Sequence, residues 1–185
     1  GPITQLLIGT LLPITLLGLL DDFQKILDFR QDSILRWIKF IIQWGVALTA
    51  GYFALQHIDW HLGLYLNTGL FALFLVSYIN AFNINDGLDG LMAGQGIWIL
   101  SGMLILTILQ GSELSGYFAI LLGSLIAFLY FNVHPARVFM GDTGSTTLGL
   151  LTFLLSVLSG NVIAFLVMTI PTIMITASSL IQILS

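Results

Sequence analysis

Charged side chains are scarce in this sequence. Only 8% of its 185 residues are Asp, Glu, Lys or Arg, whereas an ordinary soluble domain carries roughly 25%. Cysteine is absent, which excludes disulfides, iron–sulfur clusters and thiolate zinc sites within the chain. Basic residues number five and prolines four. With a mean hydropathy of +1.02, the composition excludes a soluble domain and favours a helical membrane protein.

Long apolar runs recur along the chain. A spanning helix needs about 20 mostly apolar residues, and seven runs approach that length, at about 3–20, 38–56, 64–83, 91–110, 115–131, 144–158 and 161–184. The last boundary depends on Gly160 and Asn161, and Pro13 and Pro171 are expected to kink or break their spans. We predict an all-α, polytopic transmembrane helix bundle with about seven spans. Because the chain starts and stops inside hydrophobic sequence, we interpret residues 1–185 as a fragment that forms one integral-membrane domain.

The basic residues fall on one side of this predicted bundle. They occupy the first and fifth connections only: Lys25, Arg30, Arg36, Lys39 and Arg137. The second, fourth and sixth connections contain none. The positive-inside rule therefore places the odd connections in the cytoplasm and the N-terminus of the chain outside. Seven of the nine acidic residues share the cytoplasmic side: Asp21, Asp22, Asp28, Asp32, Asp86, Asp89 and Asp142.

The first acidic cluster lies in "LLGLLDDFQK", where Asp21 and Asp22 end the first span. The C-terminal end of a helix is negative, so two adjacent carboxylates there cost stability unless a cation binds them. The alternative is a solvated helix end in which Lys25, one turn away, pairs with the acids.

The second cluster lies in "INAFNINDGLDGLMAG", residues 79 to 94. Asn80, Asn83, Asp86 and Asp89 follow one another at intervals of three, so a helix would carry them as one polar stripe. The alternative is a turn that uses Asn, Asp and Gly for backbone geometry. That alternative does not account for asparagines inside the third span, where an unpaired amide is expensive.

The third cluster lies in "FNVHPARVFMGDTGSTTLG". Asp142 precedes an apolar helix and would be a sound N-cap, which is one interpretation. The other is that the free N–H groups at this helix start bind a phosphate, with Asn132 and Arg137 as a further donor and a cation.

Three clusters on one side of the membrane indicate a shared site. Carboxylates without cysteine prefer a hard cation, Mg²⁺ or alternatively Mn²⁺. Such an ion, held with a nucleotide and a phosphate at the bilayer surface, suits phosphoryl-group transfer to a lipid. A cation transporter and a non-catalytic scaffold remain as alternatives, although a transporter's acids are expected near the membrane midplane.

The three signatures resemble those of the polyprenyl-phosphate N-acetylhexosamine-1-phosphate transferases, and the resemblance runs over nearly the whole chain. It implies a transferase domain that corresponds to spans three to nine of an expected ten. It also implies Mg²⁺-dependent transfer of a phospho-sugar from a UDP-sugar to undecaprenyl phosphate, with release of UMP. The partners would be these substrates and the lipid bilayer, in the cytoplasmic membrane and with the active site facing the cytoplasm. No nucleic acid is expected, and a homodimer is left open.

The resemblance assigns roles to eleven residues. Asp142 would hold the metal and Asp21, Asp22 and Lys25 would act beside it, one of the two aspartates accepting or positioning the proton of the lipid phosphate. The predicted substrate-binding residues are Asn83, Asp86, Asp89, Asn132, Phe139, Lys39 and Gln182.

Two features of the sequence differ from the usual pattern of the family. The histidine-rich motif of the family's last cytoplasmic loop is not in this sequence, and Ile175 stands where an acidic residue usually precedes Thr176. The segment "NAFN" suits both the muramoyl branch and the branch that transfers N-acetylglucosamine-1-phosphate. Lys25 and "KFIIQ" favour the muramoyl branch, whose product is lipid I for peptidoglycan.

Overall fold

A computed structural model describes residues 2–27, 33–55 and 63–184, and no strand occurs in those ranges. The helices are α1 Pro2–Ile26, α2 Ser33–Ala54, α3 Leu64–Asn85, α4 Leu91–Leu109, α5 Ser115–Asn132, α6 Gly141–Leu158, α7 Val162–Met168 and α8 Ile170–Leu184. Arg30, which contributed to the predicted orientation, and Asp28 and Asp32, which were predicted to share its side, lie outside the described residues.

Each predicted span contains a helix, and the seventh contains two. Among the described residues, four helices are long and apolar enough to cross a membrane: Thr4–Ile26 within α1, and α3, α4 and α5. The pair α7 and α8 makes a fifth candidate, bent by 50°. Helices α2 and α6 have 22 and 18 residues, lengths of about 33 and 27 Å. The prediction of an all-α, multi-pass membrane protein is confirmed.

The two internal prolines behave differently. Helix α1 continues through Pro13, so the expected break is not found there. The bend between α7 and α8 falls at Thr169, two residues before Pro171. Proline has no N–H to continue the helical ladder and disfavours helical geometry in the residue before it. The break expected at Pro171 is therefore confirmed.

The chain divides into two compact units. Unit 1 is Gly1–Asn80 with Gly141–Leu151, and unit 2 is Ala81–Met140 with Thr152–Ser185. The core of unit 1 is built around Ile14, Phe71 and Leu75. The prediction that residues 1–185 form a single domain stays a prediction.

Helix α1 and the start of α6 approach closely in unit 1. A Cβ atom added to Gly18 would lie 2.5 Å from Thr143 Cα and 2.9 Å from the carbonyl oxygen of Asp142. Only a glycine fits this contact. A turn deeper, the hydroxyls of Thr15 and Thr147 are 3.0 Å apart. The two helices therefore meet backbone against backbone just where α6 begins.

Unit 2 is packed around aromatic and small side chains. Phe118 and Met103 are fully buried, and the rings of Phe153 and Phe165 meet edge to face with centroids 5.8 Å apart. Asn85 is buried here: its amide donates to Gln95 Oε1 and to the Thr172 carbonyl in α8, both at 3.1 Å. The buried amide at the end of α3 is thus satisfied by two neighbouring helices, α4 and α8.

Helix α3 ends at Asn85, before the two aspartates of the second cluster. The amide of Asp86 donates to the Asn83 carbonyl in a turn. The expectation that Asn80, Asn83, Asp86 and Asp89 form one stripe along a helix is therefore wrong for the aspartates. Gly90, which has φ +73°, is the N-cap residue of the next helix, α4.

Candidate active site

The ends of α1, α2 and α6 bring four charged side chains together in unit 1. Lys25 Nζ lies 2.5 Å from Asp142 Oδ1, and Lys39 Nζ lies 2.8 Å from Asp142 Oδ2. Asp21 Oδ2 is 3.4 Å from both ammonium groups. The side chain of Asp142 is only 12% exposed and that of Lys25 47%. The cluster is thus largely shielded, and Lys25 is its most exposed member.

Helix geometry places these groups. Asp21 and Lys25 are one turn apart in α1, so they share a face. Lys39 lies in the second turn of α2, and Asp142 in the first turn of α6. The first cluster and the third, which the sequence predicted to meet, do lie together. The alternative of a helix end in which Lys25 partners the acids is right in part, since Lys25 does contact Asp21.

Asp22 contacts different groups from those that Asp21 contacts. Its Oδ1 accepts a hydrogen bond from the backbone N–H of Asp142 at 2.9 Å. Its Oδ2 accepts from the N–H of Thr143 at 2.9 Å and from the Thr143 hydroxyl at 2.6 Å. A carboxylate from α1 therefore caps the N-terminus of α6, where the helix dipole favours an anion.

This geometry corrects two expectations about the third cluster. Asp142 is not the N-cap of α6, since it lies inside the first turn and Asp22 does the capping. The N–H groups of Asp142 and Thr143, which seemed suited to a phosphate, donate to Asp22. The anion at this helix start is a side chain of the protein itself.

In unit 2, hydrogen bonds join two of the connecting loops. Asp89 Oδ2 is 2.9 Å from His134 Nδ1 and accepts from the Ala136 N–H at 3.0 Å. The Asn132 side chain accepts from the Gly90 N–H at 3.0 Å and donates to the Val138 carbonyl at 2.9 Å. These bonds connect the loop after α3 to the loop before α6.

The pKa of Asp89 is held below its ordinary value. The largest cause is the hydrogen bond from the Ala136 backbone N–H, and the second is the bond with the His134 side chain. Both favour the ionised carboxylate. Asp89 therefore stays charged at neutral pH, in a loop outside the helices.

The other predicted substrate-binding residues are distributed over unit 2. Asn83 and Asp86 lie at the end of α3 and just beyond it, and each has at least one interaction partner. The Phe139 side chain is 72% exposed. Gln182 lies on α8, with Nε2 3.5 Å from Ser178 Oγ. The prediction that the second cluster joins the other two stays a prediction.

Sequence reasoning missed two residues that the structure brings into prominence. Thr143 supplies two of the three donors to Asp22, and Asn85 connects α3 to α4 and α8. Thr143 follows Asp142 directly in the sequence, and this adjacency could have identified it as a residue of the site. Asn85 lies within the second cluster, residues 79 to 94. It is not one of the residues there that follow one another at intervals of three.

The donor set suits a magnesium ion. Within the described ranges no group of three or more His, Cys, Asp or Glu side chains is placed to hold a metal. Mg²⁺ is typically bound by one or two carboxylates together with substrate phosphates. Asp142 and Asp21 are such carboxylates, both within 3.4 Å of the same ammonium groups.

The fold and this cluster define a multi-pass membrane protein with a charged site at the ends of its helices. The chain belongs to glycosyl transferase family 4, whose family model matches residues 4–160.

Several curated proteins named phospho-N-acetylmuramoyl-pentapeptide-transferase are similar to this chain. The protein from Heliobacterium modesticaldum is 40% identical over 157 residues, which cover 78% of this chain and 49% of the relative. That from Moorella thermoacetica is 41% identical over 149 residues, or 72% of this chain and 46% of the relative. That from Limosilactobacillus fermentum is 36% identical over 152 residues, or 77% and 47%. The chain spans about half the length of these relatives.

Proposed function

We propose that the protein transfers phospho-N-acetylmuramoyl-pentapeptide from its UDP derivative to undecaprenyl phosphate, which releases UMP and gives lipid I for peptidoglycan synthesis. The observation that carries the proposal is the cluster of Asp21, Lys25, Lys39 and Asp142 at the ends of three helices. The names of the curated relatives support the choice of substrate.

The two lysines are suited to binding phosphates. Each ammonium group has three N–H donors, and Lys25 is half exposed although it touches Asp142. A phosphate oxygen that approaches the cluster would meet two cations. We assign Lys25 and Lys39 to the pyrophosphate of the sugar nucleotide, where positive charge stabilises the charge that develops during transfer.

The two carboxylates would hold the metal and orient the acceptor. We assign Asp142 as the ligand of Mg²⁺, with Mn²⁺ as the alternative; the ion, when bound, supplies charge neutralisation at the pyrophosphate. Asp21 is assigned to orient the lipid phosphate. That phosphate already carries negative charge at neutral pH, so positioning contributes more than proton removal does.

The proposed reaction exchanges one phosphorus–oxygen bond for another. An oxygen of the lipid phosphate attacks the β-phosphorus of the UDP-sugar. The bond from this phosphorus to the oxygen shared with the uridine-bound phosphate breaks, and UMP leaves with the electron pair. No oxidant or reductant is needed.

We assign contacts with the uridine part of the nucleotide to the other predicted substrate-binding residues: Asn83, Asp86, Asp89, Asn132, Phe139 and Gln182. The exposed ring of Phe139 supports this, since it is free to stack on a base. Asp89 and Asn132 already order the two loops.

The proposed location is the cytoplasmic membrane, with the site on the cytoplasmic face. The positive-inside distribution of the basic residues supports this orientation. The proposed partners are undecaprenyl phosphate, the UDP-sugar and the lipid bilayer, and a homodimer is left open.

Reconstitution of the complete protein with undecaprenyl phosphate and Mg²⁺ tests the function. UMP release is expected from UDP-N-acetylmuramoyl-pentapeptide and not from UDP-N-acetylglucosamine. Asp142→Asn should reduce UMP release by about 10²- to 10³-fold, the usual cost of removing a main electrostatic contact. Glu113→Gln, at an exposed loop position between α4 and α5, is the control and should be near wild type.

The other outcomes identify the alternatives. UMP release from UDP-N-acetylglucosamine alone would indicate the N-acetylglucosamine-1-phosphate branch. Cation flux without UMP release from either nucleotide would indicate a transporter. Full activity in Asp142→Asn would refute the metal role of this residue.

A further inference from the structure

We infer that Asp22 and Thr143 form a cross-helix cap whose task is to position Asp142, so that Asp22 is a positioning residue and does not itself react. The inference rests on the proposed function for its kinetic readout. The cap itself is a feature of unit 1 and is open to a separate structural test.

The start of α6 depends on this cap. The helix begins after Met140, whose side chain makes no capping hydrogen bond. Gly141 has φ +68° and turns the chain into the helix. The first N–H groups of a helix have no partner within the helix, and here the carboxylate of Asp22 accepts from two of them.

The oxygens of Asp22 are almost fully used. An ionised carboxylate has about four acceptor positions, and three hydrogen bonds of 2.6–2.9 Å occupy Asp22. Two come from the positive end of a helix and one from a hydroxyl. Such bonds to a charged acceptor are the stronger kind. A group held in this way is poorly placed to leave and take up a proton or a metal ion.

Two glycines allow Asp22 and the backbones of α1 and α6 to approach one another. A Cβ atom on Gly141 would lie 2.8 Å from Asp22 Oδ2, and at Gly18 it would lie 2.8 Å from the Thr143 nitrogen. Both glycines are needed for the carboxylate and the two backbones to approach. The contact of Asp22 with the start of α6 therefore requires glycine at positions 18 and 141.

Other residues contact both the backbone and the side chain of Asp142. Its backbone N–H is fixed by Asp22, and its side chain lies between Lys25 and Lys39. A shift at the backbone would move the carboxylate relative to both lysines. Reacting groups tolerate little misplacement: about 1 Å costs up to about 100-fold in rate. Asp22 and Thr143 would thus affect the reaction through the position of Asp142.

The test compares Thr143→Val with Thr143→Ser and Thr147→Val in the complete protein. Thr143→Val removes one donor to Asp22 and leaves every charge in the cluster unchanged. We expect kcat to fall about 10- to 100-fold, with KM for the UDP-sugar changed by less than about 2-fold. Thr143→Ser keeps the hydroxyl and should recover most of kcat. Thr147→Val removes the hydroxyl pair one turn deeper without touching the cap, and should keep kcat near wild type.

A double-mutant cycle with Asp22→Asn separates the two roles of Asp22. If Asp22 acts through the cap, the double variant Asp22→Asn/Thr143→Val should be no slower than Asp22→Asn alone. Full activity in Thr143→Val beside an inactive Asp22→Asn would overturn the inference, because Asp22 would then act by its own charge. A fall in Thr147→Val equal to that in Thr143→Val would overturn it as well.

Thermal unfolding tests the cap without any measurement of activity. The Tm losses of Asp22→Asn and Thr143→Val should be less than additive, and additive losses would refute the cap whatever the activity. If wild-type protein releases no UMP from either nucleotide, the proposed function fails while the Tm cycle still decides the cap. If Asp22→Asn does not fold, the comparison of Thr143→Val with Thr143→Ser decides the kinetic question.

Discussion

Neighbouring aspartates in this protein have different surroundings. Asp21 lies opposite two ammonium groups, whereas Asp22, one residue on, faces the backbone of α6. Successive residues of a helix are about 100° apart around its axis, so an adjacent pair reaches two different neighbours. The sequence "DD" therefore encodes two contacts.

The side chain of Asp89 gives a prediction about pH. Because its pKa is lowered in the folded protein by the Ala136 N–H and by His134, its contribution to stability is complete above the ordinary pKa of an aspartate, about 4. It is lost as the pH falls through the lowered value. We expect the Tm difference between wild type and Asp89→Asn to be constant from pH 7 to about pH 5 and to shrink below about pH 4.

The control for this series is Glu113→Gln, an exposed position between α4 and α5. Its Tm difference from wild type should stay near zero at each pH. A difference for Asp89→Asn that grows as the solution becomes more acidic would contradict the assignment, since it would mean that the bonds favour the protonated carboxyl.

At the scale of the element, Gly18 allows the backbones of α1 and α6 to approach closely. Gly18→Ala would place a Cβ atom 2.5 Å from Thr143 Cα, and backbone on both sides leaves no flexible group to move aside. Overpacking of this kind costs about 1–3 kcal/mol. We expect a lower Tm in detergent, measured by circular dichroism, and a loss of UMP release.

Gly9→Ala is the matched control in the same helix. No atom lies within 4 Å of a Cβ atom at Gly9, so the substitution should leave Tm unchanged or raise it slightly through helix propensity. Equal losses of Tm in the two variants would show that helix α1 is sensitive to alanine in general, and would contradict the specific contact.

The helices themselves were largely predictable from the sequence, and their ends less so. Apolar length fixes a span because the bilayer has a fixed thickness. The sequence predicted the third span at 64–83, close to the observed end of α3 at Asn85, but the interval of three residues from Asn80 to Asp89 also fitted a continuing helix.

The partner of Asp22 was likewise beyond sequence reasoning. Charge placement predicted that Asp21, Asp22 and Asp142 lie near one another, and they do. Which carboxylate faces the lysines and which faces a helix end depends on the rotation of α1 against α6. That rotation is set by the backbone contact at Gly18, which no pattern of charges reports.

For the whole molecule, the absence of cysteine allows a direct test of orientation. Single substitutions Glu113→Cys and Val138→Cys place one thiol in each of two successive connections, and Val138 is 46% exposed. The positive-inside rule predicts that an impermeant maleimide labels Glu113→Cys on intact cells. Val138→Cys should be labelled only after permeabilisation.

The parent protein, which has no thiol in this chain, is the control for background labelling. Labelling of Val138→Cys on intact cells would place Arg137 and the start of α6 outside. The proposed use of a cytoplasmic sugar nucleotide would then be untenable.

The cap between α1 and α6 also has a consequence for biosynthesis. Asp22 and its partner amide are separated by 120 residues, and ribosomes add about 5–20 residues per second. The nascent chain therefore carries Asp22 for roughly 6–24 s before α6 emerges. During this interval the carboxylate of Asp22 lacks the α6 amides that it accepts from in the folded protein, and the charged cluster with Asp142 is completed only after these 120 residues have been added.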